Sequence, residues 1–241
     1  RRPRGFVQPA VCDNVQDFPD VKGGIYTSPE SPSTADSNRG YGTIGFRAKK
    51  DGTYYMLTAM HVFGDCSITN GDDVYMNESK LGEVSGGDVD GDWIEVDDSG
   101  SGSDSLTNKV VEPDGTTRSI SGYASECEIE RRVSDLLDGY TTVGVTSGET
   151  TGGLGECNVG FDTCPTLYME GVTGSADFAQ GDSGAPCYSI ENGDAFMLKL
   201  GQYLVDLKDT NSCQGQEANR GDKSLGIPAY YIANQGYDIG V

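Results

Sequence analysis

Short stretches in which apolar and polar residues alternate follow one another along most of the chain, and glycine, asparagine or aspartate separates them. A period of two is typical of strands that bury one face. The clearest case is the pair of stretches at residues 41–48 and 53–60, because the Asp51-Gly52 dipeptide between them tolerates the positive φ angles of a hairpin turn. The pattern therefore predicts an antiparallel hairpin that ends immediately before His61.

The same pattern continues to the end of the chain. It predicts further strands at about residues 73–77, 81–84, 93–96, 108–112, 117–123, 126–133, 141–146, 166–172, 185–189, 196–205 and 225–228. A helical pattern appears only at residues 228–236, where Pro228 stands in the first turn and Gly236 follows the last. Many short strands with glycine-rich turns indicate an all-β sandwich or barrel.

A stretch rich in glycine, serine and aspartate at residues 100–104 divides the strands into two groups. We therefore expect a first lobe at residues 23–104 and a second lobe at residues 105–241. Residues 1–22 are irregular and proline-containing, and they are expected to form an N-terminal extension.

The charge of the chain is strongly one-sided, since 38 acidic residues oppose 17 basic ones and give a net charge of −21. Such a surface repels nucleic acid and anionic membranes, so neither is expected as a partner. Self-repulsion at this charge density destabilises a compact chain unless salt screens it. We hypothesise a high-salt habitat, and the competing hypothesis is an acidic medium that neutralises carboxylates. No apolar run is long enough for a transmembrane helix.

Seven cysteines are spread along the chain, which is typical of an exported protein with disulfide bonds. No CxxC pair or cysteine–histidine cluster occurs, so no zinc site is expected. Cys157 with Cys164 and Cys187 with Cys213 are candidate pairs, although the spacing does not fix the connectivity. We expect a secreted protein and, since no signal peptide is visible at the start, its processed form.

Three residues could together carry nucleophilic chemistry. A serine hydroxyl needs a base that takes its proton and donors that hold the oxyanion it creates. His61, the only histidine, follows a predicted strand, and Ser183 lies between glycines that allow a tight turn. We expect His61 to act as the base, Asp92 to orient the imidazole, and the backbone N–H groups of Gly181 and Ser183 to form the oxyanion hole.

The choice of Asp92 depends on its position directly before the apolar stretch 93–96, because a strand start holds a carboxylate rigidly. Its competitors are Asp88, Asp90, Asp97 and Asp98, of which Asp90 is the second choice. The alternation of Asp88, Asp90 and Asp92 also suggests a calcium loop, but the glycine and terminal glutamate of an EF-hand are missing at the required offsets. We therefore expect no metal.

These motifs resemble the trypsin/chymotrypsin family of serine proteases, most closely its small bacterial branch, the streptogrisins. The similarity covers most of residues 23–241 and is carried by the stretches around His61, Asp92-Trp93, Thr141-Thr142-Val143-Gly144 and Ser183. It implies two six-stranded antiparallel β-barrels (trypsin-like) with a short C-terminal helix and the active site between the barrels. It also implies hydrolysis of peptide bonds in polypeptide substrates without a cofactor. We expect a monomer, the default for secreted enzymes of this size.

The resemblance also implies two features of the pocket. In the trypsin subgroup, an aspartate at the position of Asp177 lies at the base of the specificity pocket, and Gln180 fits the same pattern. Both are therefore candidate substrate-binding residues, with a preference for Arg or Lys; a preference for large apolar side chains is the alternative. The chain lacks the amino terminus that animal enzymes expose on activation. We therefore expect Asp182 to pair with an internal cation, for which the candidates are Arg118, Arg131 and Arg132.

Two other functions remain open. A protease homologue that binds but does not cut would share the fold, although all three candidate side chains are present here. A β-sandwich adhesion or calcium-binding module would instead use the aspartates as ligands.

Overall fold

A computed structural model describes residues 19–30, 40–63, 70–76, 79–99, 106–112, 114–135, 139–157, 159–162, 168–176, 178–203, 208–211, 217–221 and 223–241. The strands are β1 (Val21–Gly23), β2 (Tyr26–Thr27), β3 (Gly42–Thr43), β4 (Arg47–Lys50), β5 (Thr53–Ala59), β6 (Asp73–Met76), β7 (Ser79–Asp88), β8 (Trp93–Val96), β9 (Leu106–Val111), β10 (Thr117–Ser119), β11 (Gly122–Tyr123), β12 (Gly139–Gly144), β13 (Gly148–Gly153), β14 (Val159–Asp162), β15 (Tyr168–Gly174), β16 (Phe178–Ala179), β17 (Pro186–Ser189), β18 (Asp194–Tyr203), β19 (Lys208–Asn211), β20 (Glu217–Gly221), β21 (Lys223–Pro228) and β22 (Asp238–Ile239). The helices are α1 (Glu126–Asp135) and α2 (Ala229–Asn234), and a 3-10 turn covers Met60–Phe63.

One sheet of six strands forms the part of the fold that carries His61. Its order is β22-β4-β5-β8-β7-β6. The predicted hairpin turn is confirmed, since β4 and β5 pair in an antiparallel register around Asp51 and Gly52, both of which have positive φ angles. The first strand of the predicted pair is interrupted, because residues 44–46 separate β3 from β4.

A second sheet of eight strands forms the part of the fold that carries Ser183. Its order is β13-β12-β17-β18-β21-β15-β14, and β11 pairs with β18. Three smaller sheets, β1-β9-β10, β16-β20-β19 and β2-β3, complete the strand pairing of the described residues. The all-β class predicted from the sequence is confirmed.

The apolar faces of the strands bury two hydrophobic clusters. The larger one includes Phe46, Leu57 and Trp93, and the smaller one includes Tyr140 and Phe196. The larger cluster also contains residues of β17, β18 and α2, so the two main sheets pack on shared core residues.

The prediction of a strand at residues 126–133 is wrong, because this segment is the helix α1. The Ser125 hydroxyl accepts a hydrogen bond from the Glu128 N–H (3.3 Å), as an N-terminal cap does. Glu128 also pairs with Arg132 one turn later (2.8 Å). Ile129 and Val133 have helical spacing and pack on the smaller cluster. These signals were present in the sequence, but the segment is too short for its period to stand out.

The predicted C-terminal helix is confirmed as α2, with Pro228 before its first residue and Gly236, at φ 93°, after its end. The chain then forms β22, which pairs with β4 at the edge of the six-stranded sheet. No helix in the described ranges is long and apolar enough to cross a membrane.

Cys127, Cys157 and Cys187 are free thiols. The predicted pairs Cys157 with Cys164 and Cys187 with Cys213 are therefore wrong in this structure. Cys187 lies in β17, and its complete burial raises the pKa of its thiol to about 11. The other cysteines lie outside the described residues.

Candidate active site

His61 occupies the 3-10 turn that directly follows β5. Its side chain is 27% exposed, so the ring is mostly packed but still open to solvent in part. The strand before it is buried and paired on both sides, with β4 and with β8. The turn therefore holds the imidazole on a rigid support.

Asp92 is fully buried and directly precedes β8, which pairs with β5 so that Trp93 lies opposite Ala59. Its carboxylate contacts His61 twice. Asp92 Oδ1 accepts the His61 backbone N–H at 2.9 Å, and Oδ2 lies 2.6 Å from His61 Nδ1. A carboxylate in this position fixes the ring orientation and favours the tautomer with the proton on Nδ1.

The competing aspartates are engaged elsewhere or face solvent. Asp88 accepts hydrogen bonds from Tyr231 and Gln235 near the C-terminal end of the chain. Partial burial of the Asp97 carboxyl acts to raise its pKa. Hydrogen bonds from backbone N–H groups outweigh this effect, so the pKa lies below its ordinary value. Asp90 is exposed and Asp98 is partly exposed. Of the aspartates in residues 88–98, only Asp92 contacts His61.

Ser183 lies in the tight turn between β16 and β17. The Asp182 N–H donates to the Ala179 carbonyl (3.0 Å), and the Ala185 N–H donates to the Asp182 carbonyl (2.9 Å). This turn places Ser183 Oγ 2.7 Å from His61 Nε2. One imidazole therefore contacts a hydroxyl on one side and a buried carboxylate on the other.

The backbone around Ser183 depends on two glycines with positive φ angles. Gly181 has φ 97°, and a Cβ there would lie 2.2 Å from the Tyr41 ring. Gly184 has φ 88°, and a Cβ there would lie 2.2 Å from the Thr43 carbonyl oxygen. Neither position can accept a side chain without rearrangement.

The N–H groups of Gly181 and Ser183 donate no hydrogen bond to any described residue. Two backbone N–H groups this close to a nucleophile, without partners among the described residues, can bind an oxygen that gains negative charge.

Asp182 is fully buried, and three backbone N–H groups solvate its carboxylate. Thr146 and Ser147 donate to Oδ1 at 3.0 Å each, and Ala179 donates to Oδ2 at 2.8 Å. These bonds join the serine turn to the segment after β12.

The predicted pairing of Asp182 with Arg118, Arg131 or Arg132 is wrong. Arg118 and Arg132 form ion pairs with glutamates, and Arg131 is exposed on α1. A buried carboxylate that accepts several backbone N–H bonds does not require a cation next to it.

Asp177 lies outside the described residues. Gln180 is exposed at the start of the serine turn. Its carbonyl oxygen accepts a hydrogen bond from the Thr146 hydroxyl at 2.6 Å.

Sequence reasoning missed Thr43, a residue of β3 that bonds both the serine turn and the segment after β12. Its hydroxyl donates to the Gly181 carbonyl (2.8 Å) and accepts the Val145 N–H (3.0 Å). Its backbone N–H donates to the Ser183 carbonyl (2.8 Å). Nothing in the sequence distinguishes Thr43 from the other strand threonines, because its partners are distant in the chain.

No protein-family model and no curated protein matches this chain. Solved bacterial protease structures do share its fold. A Nocardiopsis protease superposes with a TM-score of 0.63 at 18% identity, over 92% of this chain and 100% of that one. Thermobifida fusca protease A gives 0.60 at 17% identity, over 91% and 98%. A glutamic acid specific serine protease that uses a histidine triad in substrate binding gives 0.63 at 19% identity, over 91% and 100%. The chain therefore has the two-barrel fold of chymotrypsin-like proteases, as the resemblance implied.

Proposed function

We propose that this protein is a serine endopeptidase in which His61, Asp92 and Ser183 form the catalytic triad. The observation that carries the proposal is the continuous contact from Ser183 Oγ to His61 Nε2 (2.7 Å) and from His61 Nδ1 to Asp92 Oδ2 (2.6 Å). The N–H groups of Gly181 and Ser183, which donate to no described residue, and the shared protease fold support it.

The reaction begins when Ser183 Oγ attacks the carbonyl carbon of the scissile peptide and its proton passes to His61 Nε2. The buried carboxylate of Asp92 stabilises the imidazolium that results. The N–H groups of Gly181 and Ser183 donate to the oxyanion. His61 then protonates the leaving amine, and an acyl-enzyme remains on Ser183.

Water completes the cycle by the same route. His61 takes a proton from water as the water oxygen adds to the acyl carbon, and His61 then donates that proton to Ser183 Oγ as the tetrahedral intermediate collapses and releases the acid product. No step uses a cofactor or a metal ion.

A fluorophosphonate probe tests the proposal directly, because it reacts with a serine only when a base activates that serine. We expect one adduct, on Ser183, and cleavage of peptides from a mixed library. The Ser183→Ala variant should do neither. A wild-type chain that folds but forms no adduct would favour the alternative of a catalytically silent homologue that binds polypeptides.

For substrate choice, we propose a preference for Arg or Lys on the acyl side of the cut, with Asp177 and Gln180 as the substrate-binding residues. The support is the position of Asp177 relative to Ser183 together with the protease fold. Paired chromogenic substrates that differ only in Arg or Phe at this position measure the preference. Equal cleavage of the two, or an unchanged preference in Asp177→Ser, would refute it.

We also propose that the protein is a secreted, salt-adapted monomer without nucleic-acid or membrane partners. The proposed domain division is an N-terminal extension at residues 1–22, a first lobe at residues 23–104 and a second lobe at residues 105–241. The net charge of −21 supports salt adaptation, because molar salt screens the repulsion that opposes folding. The melting temperature should rise between low and molar salt, and an unchanged melting temperature would contradict the proposed salt adaptation. Light scattering should give the mass of one chain.

A further inference from the structure

We propose that Thr146 is a positioning residue that aims the Gly181 N–H into the oxyanion hole. This inference rests on the function proposed above and adds a residue to its machinery. Thr146 lies just after β12, outside the triad, and its hydroxyl donates to the Gln180 carbonyl at 2.6 Å. That carbonyl belongs to the same peptide unit as the Gly181 N–H.

The argument begins with peptide geometry. In a trans peptide the C=O and N–H point in opposite directions. A hydrogen bond that holds the Gln180 carbonyl on one side therefore fixes the Gly181 N–H on the other. The Gly181 N–H itself donates to no described residue, so its direction depends on the hydrogen bonds that the Gln180 carbonyl accepts. Thr43 bonds the Gly181 carbonyl, which belongs to the next peptide unit.

This peptide needs such a restraint. Gly181, at φ 97°, has no side chain, and glycine occupies positive and negative φ about equally well. The exposed Gln180 side chain makes no hydrogen bond to a described residue that could fix the turn. Rotation of the peptide would turn the N–H away and present a carbonyl oxygen to the developing oxyanion, which it would repel.

Thr146 is suited to this role because it is itself held. Its backbone N–H donates to the buried Asp182 carboxylate at 3.0 Å. A chain of contacts thus runs from Asp182 through Thr146 to the Gln180 carbonyl. The Tyr41 hydroxyl lies 3.5 Å from the same carbonyl, at the limit of hydrogen bonding, so it can contribute only weakly.

The test compares Thr146→Val with Thr146→Ser in a peptidyl amide assay. The valine variant keeps the shape and loses the hydroxyl. We expect its kcat to fall by about 10- to 100-fold with KM within about twofold of wild type, since the lost interaction acts in the transition state. The serine variant should recover most of the activity.

A peptidyl trifluoromethyl ketone gives a readout that a structural role would not change. Ser183 Oγ adds to its carbonyl, and the ketone oxygen becomes an oxyanion in the same hole. Its Ki should rise in Thr146→Val by the factor by which kcat/KM falls. Thr173→Val is the matched control, because that hydroxyl contacts only the Glu156 backbone N–H (2.8 Å) within the described residues. It should leave kcat and Ki unchanged.

The proposal is overturned if Thr146→Val keeps kcat and Ki within about threefold of wild type, or if KM and Ki rise together by one factor. If circular dichroism shows that Thr146→Val does not fold, Thr146→Ala carries the same expectation. A wild-type chain without a Ser183 adduct would overturn the proposed function as well. An active wild type with an unaffected Thr146→Val would overturn this inference alone.

Discussion

The half of the candidate site that carries His61 and Asp92 and the half that carries Ser183 are held in different ways. In the first half, the start of β8 and the turn after β5 exchange three hydrogen bonds, all of which involve Asp92. In the second half, hydroxyls and N–H groups from distant segments hold the peptides around Ser183. The base half is local to one strand pair, whereas the nucleophile half depends on the assembled fold.

This difference indicates where each half is vulnerable. In the base half, a change to the Asp92 carboxylate should abolish most of the activity, because all three hydrogen bonds involve Asp92. In the nucleophile half, activity should fall in smaller steps as individual hydrogen bonds are removed, because several of them together hold the peptides around Ser183.

The largest effect is expected from Asp92→Asn. The amide has one oxygen, so it cannot accept hydrogen bonds from both the His61 backbone N–H and the Nδ1–H. The imidazole would then adopt the tautomer without a proton on Nδ1. We expect kcat to fall by about 10⁴-fold. Asp90→Asn is the control and should have no effect, because Asp90 is exposed. Comparable losses in both variants would mean that Asp92 has no special role.

A second prediction concerns the serine turn. The Cβ of Gly184→Ala would lie 2.2 Å from the Thr43 carbonyl oxygen and 2.3 Å from Thr58 Oγ1, at φ 88°. We expect a loss of about 2 to 4 kcal/mol of unfolding free energy and at least about 100-fold in kcat/KM.

Gly115→Ala is the matched control for this substitution. Gly115 has φ 82°, but nothing lies within 4 Å of the added Cβ. It should lose only about 1 kcal/mol and keep full activity. Equal destabilisation of the two variants in urea would show that the contact with Thr43 is unimportant.

A third prediction concerns Thr43, which bonds the serine turn to the segment after β12. Thr43→Val removes the hydroxyl that bonds Gly181 and Val145. Buried partners left unpaired should cost about 1 to 3 kcal/mol, and kcat/KM should fall about tenfold. Thr27→Val is the control, since the buried Thr27 hydroxyl has no partner among the described residues. Thermal unfolding that responds alike to both changes would contradict the assignment.

The smallest effect is expected where α2 supports the base half. Asp88 accepts hydrogen bonds from Tyr231 (3.3 Å) and Gln235 (2.6 Å), and it is the last residue of β7, directly before the turn that leads to Asp92. Asp88→Ala should lower kcat/KM by about two- to fivefold and stability by about 1 kcal/mol. Asp90→Ala, in the turn that follows, should change neither, because Asp90 is exposed. No change in Asp88→Ala would mean that the β5–β8 pairing alone positions Asp92.

Sequence patterns predicted the parts of the fold whose signals are local. The Asp51-Gly52 turn and the proline and glycine that bound α2 act within a few residues, so their predictions are confirmed. The helix α1 was missed although its cap and ion pair were readable, because three turns leave little periodicity. The pairing of β22 with β4 has no local signal, since the two strands meet only after the chain has folded.

The sequence by itself determined that this chain would form many short strands, most of which pair antiparallel. It also put one histidine and one glycine-flanked serine at the ends of such strands, because turn chemistry and a period of two are local properties. Only the tertiary structure decided that backbone N–H groups rather than arginines hold Asp182, and that Thr43 and Thr146 clamp the serine turn. The physical reason is that buried polar groups must find partners, and those partners are chosen by which segments the packed sheets bring together.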